Sequence, residues 1–364
     1  MTALTMAAIP AEEEPRLQRL PWRRMAWVTW RQHRAGLVGV AVFLGALAAY
    51  VWVTGVQLHH AYAAATAACH QASSIACTAM VNAAQNGQGP GGRFDGIDDF
   101  LANGFILQAV PALIGAFVGA PVLAREMETG TFRYAWTLGF GRWRWTLAKL
   151  VPLAIALAAA AGALSVLLSW YYQPYFATAN QNLGLSEASP FSAGLFDLHG
   201  VAFAGWTLVA FAIGALAGML IRRVVPAIVA TLVAYAGLAF AAGAFLREHY
   251  LTPLLTSSLN LPASAWIISQ WWTKGGKFAF AGFPPDSIIS RFCPKGPTGP
   301  VGPHGKPKVV AIGECLTPHG YTQWTSYHPA SQFWPFQWIE GGWLLALSVL
   351  LIAATVWLVR RRPT

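Results

Sequence analysis

Six long apolar runs divide the chain: Ala35–Val56, Phe105–Ala124, Thr146–Tyr171, Gly200–Ile221, Val224–Leu246 and Ile339–Val359. Each is long enough to cross roughly 30 Å of hydrocarbon as a helix. The pattern predicts an all-α integral membrane protein with six transmembrane helices, an interfacial helix before the first, and a large extracytoplasmic segment between the fifth and sixth. The first run is too long for the apolar core of a signal peptide and follows a long basic leader, so it reads as a span.

The polar stretches divide the rest. Residues 1–34 form a cytoplasmic N-terminus in which Pro21–Arg34 mixes Trp22, Trp27 and Trp30 with Arg23, Arg24, Arg31 and Arg34. That composition predicts a helix lying along the inner membrane surface. Residues 35–246 hold the first five spans, with a compact basic elbow at 125–149; residues 247–338 are the extracytoplasmic segment; residues 339–364 are the sixth span and a basic tail. Within 247–338, Leu251–Trp272 is fairly apolar but broken by Pro253 and Pro262, which predicts a re-entrant or surface-lying helical pair. Gly296, Gly299, Gly302 and Gly305 recur at period three, as in a polyproline-like loop. Phe333, Trp334, Phe336 and Trp338 read as the outer aromatic belt of the sixth span.

Only 10% of the 364 residues are charged and 55% are hydrophobic, against about 25% charged in a soluble domain. So few charges cannot solvate a water-soluble protein of this size. The net charge of +10 is an orientation signal: residues 1–34, 125–149, 222–223 and 360–362 carry sixteen Lys and Arg, whereas 57–104 and 172–199 carry only Arg93. The positive side faces inward, which places both termini in the cytoplasm, at the plasma membrane, and argues against nucleic acid as a partner. All four Cys then fall outside, where disulfides persist. Four Cys allow three connectivities; local pairing, Cys69–Cys77 and Cys293–Cys315, closes the shortest loops. His59, His60 and His70 lie near Cys69 without metal-ligand spacing and read as solvated loop residues.

No ionisable residue stands in the middle of a run, and Glu340 sits only at the outer edge of the sixth. Ion-coupled carriers need such groups, so a self-powered transporter is disfavoured. GPHGKP at 302–307 superficially resembles a phosphate loop, but Pro300 before it and Pro307 at its end stand where such a loop needs Gly and Ser or Thr. Neither GxSxG nor HExxH occurs, so no enzyme and no cofactor is expected on this chain. Gly115/Gly119 and Gly214/Gly218 have the small-xxx-small spacing that lets helix backbones approach in lipid.

Arg125–Leu150, REMETGTFRYAWTLGFGRWRWTLAKL, resembles the loop after the second span in permease subunits of type-2 ATP-binding-cassette (ABC-2) exporters. The family shows an acidic residue, Gly-Thr a few residues on, a basic residue, and Lys-Leu opening the third span. These fall here on Glu126 or Glu128, Gly130–Thr131, Arg142 and Lys149–Leu150, while Gly139–Phe140–Gly141 replaces the Pro and small residue that often precede the basic position. The resemblance implies a permease dimer over two soluble ATPase subunits that hold ATP and magnesium; a second copy of this chain is the expected other half, and a heterodimer is the alternative. It makes Arg125, Glu126, Glu128, Gly130, Thr131 and Arg133 the ATPase-coupling residues; the plainer reading of Gly130 is a cap that ends a helical turn. It places Asn103, Phe105, Gln108 and Tyr235 along the substrate path. With so little charge in the spans, a hydrophobic or amphiphilic cargo moved outward is expected: a drug-like compound, a lipid or a lipopeptide. The competing reading is a membrane sensor or scaffold that uses the extracytoplasmic segment.

Overall fold

The computed structural model describes residues 22–69, 77, 79–81, 83, 107–130, 142–181, 189–259, 261–262, 264–293 and 309–361. Among them, six helices are long and apolar enough to cross a membrane. They are α1 (Trp22–Cys69), α2 (Ala109–Thr129), α3 (Arg142–Gln181), α4 (Ala202–Ile221), α5 (Val224–Ala241, with helical turns on to His249) and a final helix, Phe333–Arg361. Residues 22–35 contain no Gly or Pro, and the basic N-terminal stretch runs unbroken into the first span instead of forming a separate interfacial helix.

Helix α4 is the centre of the bundle, packed against α2, α3, α5 and the final helix. Its approach to α2 is set by glycine. A Cβ on Gly115 would lie 2.5 Å from the carbonyl oxygen of Ala210, and one on Gly119 would lie 2.6 Å from that of Phe211. Conversely, Gly214 faces the carbonyl oxygen of Gly115, and Gly218 that of Ala120. The two spacings read in the sequence are therefore the two halves of one backbone-to-backbone contact. Here α2 widens into a π turn, with the Ala120 N–H bonded to Gly115 O. Pro121 follows and has no N–H to offer the turn before it, a recognised cause of such a distortion. On the other side of the bundle, α1 packs on α3 through Trp52 and His59. Both rings stack on Trp170, and His59 Nε2 lies 2.9 Å from Trp170 O. His59 is thus a helix-packing residue rather than a solvated one.

Between the fifth and sixth spans the fold departs from all-α. Strands β1 (Leu254–Thr256), β2 (Trp266–Lys274), β3 (Lys277–Ala281) and β4 (Tyr321–His328) form an antiparallel sheet in the order β1-β4-β2-β3. The helical pair predicted for Leu251–Trp272 is therefore corrected to strands, and the fold is mostly helical with one sheet. The local signal was present. Trp266–Lys274 is rich in aromatic and β-branched residues, and Gly275–Gly276 (φ 55° and 78°) closes a two-residue hairpin that requires positive φ at both positions. Short helices α6 (Asp286–Phe292) and α7 (Val309–Leu316) accompany the sheet. Trp272, Tyr321, Ile312 and Leu316 form a small core with Cys293. The disulfide Cys293–Cys315 staples it, and Cys69–Cys77 closes the end of α1, both as the local pairing predicts. The Gly-Pro triplets at 296–305 lie outside the described residues. The last helix, α8 (Phe333–Arg361), begins two turns before the predicted span, which carries Glu340 into the bundle. The sheet seats on the spans through an aromatic cluster of Phe191, Phe196, Trp266, Phe333 and Phe336.

Candidate coupling elbow and a buried ion cluster

At the basic end of the bundle, α2 finishes with Arg125-Glu126-Met127-Glu128-Thr129, and Gly130 (φ 73°) stops it in the left-handed region, which glycine enters without a Cβ clash. Glu126 forms an ion pair with Lys149 in the second turn of α3. Lys149 is buried and lies 4.4 Å from the Trp145 ring centroid, so the apolar stem and the charge are both satisfied. Glu128 Oε2 accepts a hydrogen bond from the Val224 N–H at 3.1 Å. Val224 opens α5, whose own preceding residue, Arg223, makes no side-chain cap. A carboxylate from another helix thus satisfies one of the free N–H groups there and complements the helix dipole. Arg125, Arg222 and Arg223 are exposed around this junction. The elbow is consequently joined to three spans: it continues α2, pairs with α3 and caps α5.

Of the other predicted site residues, Thr131, Arg133, Asn103 and Phe105 lie outside the described residues. Gln108 Nε2 donates to Ala193 O at 2.5 Å. Tyr235 is buried and meets Trp206 of α4 edge-on at 5.6 Å. Gln108 and Tyr235 have separate neighbours.

At the sheet end stands a cluster that the sequence reading missed. Arg247, just after a π turn at Ala242–Leu246, points into the bundle with its side chain 5% exposed. The extra residue in such a turn shifts the helix face by about 100°, which brings a residue counted as part of the loop into the core. Arg247 donates from Nε to Glu340 Oε2 (3.1 Å) and from Nη2 to Glu340 Oε1 (2.8 Å) and Asp197 Oδ1 (2.5 Å). Its guanidinium also lies 4.2 Å from the Phe196 ring centroid. Trp206 Nε1 donates to Glu340 Oε1 (2.9 Å) and Asp197 Oδ1 (3.2 Å). Trp343 Nε1 donates to the Tyr250 hydroxyl at 2.8 Å. Nearby, burial pushes His199 down to about 4, opposed by its bond to the Leu195 carbonyl, so its ring is neutral near pH 7. The sequence signal was three ionisable residues each bordering an apolar run at the same end of the bundle.

The model of the family described as ABC-2 membrane transporter related matches residues 41–247. The chain belongs to that family. The match covers the first five spans and the elbow of this ABC-2 permease and ends at Arg247; the sheet and α8 lie beyond it. No curated protein and no solved structure matches the sequence. As an ABC-2 chain with six apolar helices, it is a multi-pass membrane protein.

Proposed function

We propose that this chain is the permease subunit of an ABC exporter. It works as a homodimer in the plasma membrane, with both termini cytoplasmic, and moves a hydrophobic or amphiphilic substrate outward. A separate soluble ATPase subunit, carrying ATP and magnesium, docks on the elbow at 125–149 and supplies the work. The observation that carries this reading is the pair of carboxylates ending α2. With Glu126 held to Lys149 of α3 and Glu128 to the first turn of α5, a push on the elbow reaches three spans as one body. Arg125 is exposed beside them and free to meet an acidic group on the ATPase.

The test is a charge exchange in vesicles holding the chain and its ATPase. Glu126→Lys and Lys149→Glu each bury an unpaired charge and should lower substrate transport about tenfold, while ATP hydrolysis continues. The double variant should recover most of the loss, because a coupling of about 1.4 kcal/mol between paired residues is a factor of ten. Transport unchanged in both single variants would remove the elbow from the mechanism. Uphill transport by the chain without any ATPase would remove the permease reading.

A further inference from the structure

Where α4, α5 and α8 meet the sheet, two carboxyl groups share one guanidinium. Glu340 takes the two-pronged contact with Arg247 and has no exposed surface, so these two charges cancel each other. Among the described residues Asp197 receives only Arg247 Nη2 and Trp206 Nε1, and both already bond Glu340 Oε1. Two oxygens that crowd onto the same two donors face one another. An ionised carboxyl only accepts, so two of them repel there, whereas one protonated carboxyl donates to the other. No second cation among the described residues balances Asp197, and a buried charge without a partner is costly.

We propose that Asp197 is a proton-binding site: it holds a proton near neutral pH, donates it as a hydrogen bond to Glu340, and releases it toward the sheet end of the bundle as the pH rises.

The route for that proton is visible in the exposures. The Asp197 side chain is 21% exposed, against 5% for Arg247 and none for Glu340, so it is the member of the cluster open to solvent. Burial is the main influence raising the Asp197 carboxyl, to about 7; Glu340 adds to the rise and Arg247 opposes it. The other groups turned toward the cluster leave this picture intact. From α4 comes the Trp206 indole, from α5 the phenol of Tyr235, from the segment after α5 the phenol of Tyr250, and from α8 Trp343 and Gln337. His199, on the same connector as Asp197, is held neutral by burial, and its own contribution, which rises with pH between about 4 and its ordinary value, is common to the unmodified chain and to an Asp197 variant. Glu248 and His249 are exposed and pair with each other.

The sign of the effect follows. The ordinary Asp value is 3.8 and the folded value about 7. Between those values the folded protein binds the proton that the unfolded chain has lost. The contribution of Asp197 to stability therefore falls as pH rises through the window and levels off above it. Proton uptake tightens the junction between the sheet and α4, α5 and α8, whatever cargo the bundle carries.

The test uses the purified full chain in detergent, with Asp197→Asn as the permanently neutral isostere. Thermal unfolding at about pH 5 and about pH 8.5 brackets the window. Across it the Tm of the unmodified chain should fall relative to that of Asp197→Asn, which should exceed the unmodified value at the higher pH. Infrared spectra at about pH 6 should contain the carbonyl band of a protonated, hydrogen-bonded carboxyl that is missing from the variant. The proposal is overturned by an absent band, by a band that survives Asp197→Asn, or by a variant that unfolds earlier than the unmodified chain at both pH values. Failure of the amide isostere to fold would count equally against it, since a neutral group is then not what the site accepts.

Discussion

Gly214→Ala is expected to prevent the spans from assembling, although it adds a single methyl group. The new Cβ would fall on the Gly115 carbonyl oxygen, the Ala120 nitrogen and the Gly119 carbonyl carbon, all backbone atoms of α2. No rotamer change relieves a clash with backbone, so the two helices must separate. That opens the Gly115–Gly119 contact along with it and disturbs the helix at the centre of the bundle. Overpacking costs about 1–3 kcal/mol where a core can adjust, and a backbone contact leaves the upper end. The measurement is the yield of monodisperse protein on size-exclusion chromatography. Gly237→Ala is the control: it lies in α5, and a Cβ there meets nothing within 4 Å. Its yield should match that of the unmodified chain, which separates a contact effect from a general need for glycine in the spans. Equal yields from both variants would mean that α2 and α4 do not pack at these glycines.

Arg247→Ala should be nearly as damaging, for an electrostatic reason. It removes the donor of three hydrogen bonds and leaves Glu340, fully buried, beside Asp197 with no cation. Removing one partner of a buried pair costs about 3–5 kcal/mol. The loss should shrink on acidification, because the Asp197 carboxyl, raised by burial and no longer held down by Arg247, then takes a proton and ceases to repel Glu340. Arg247→Lys should recover only part of it, since an ammonium cannot match the two Glu340 oxygens with a planar fork while also reaching Asp197. Thermal unfolding of the three proteins across pH decides the matter. A deficit independent of pH would point to lost packing on Phe196 rather than to stranded charge.

Both expectations concern features only half legible in the residues. The paired small-residue spacings were plain, yet spacing does not say which two helices meet, and their mutual contact became evident only with both backbones in place. Glu340 reads as a boundary residue because the apolar run starts at Ile339; the helix begins at Phe333. Arg247 reads as loop because no residue pattern announces the π turn that turns it inward. Glu126 and Glu128 were singled out by resemblance, but their partners, Lys149 and the Val224 N–H, are 23 and 96 residues away.

The residues alone determined what the lipid solvent dictates locally: six helical crossings, one basic elbow with its glycine stop, and the two short-range disulfides. Each depends on composition over a few turns or on the shortest chain closure. Tertiary structure alone decided the pairing of β4 with β1 and β2 in the sheet between the fifth and sixth spans, the crossing of α2 on α4, and the gathering of Asp197, Arg247 and Glu340. Those depend on which segments meet, and a buried charge or a bare backbone is stable only where a distant part of the chain arrives to complement it.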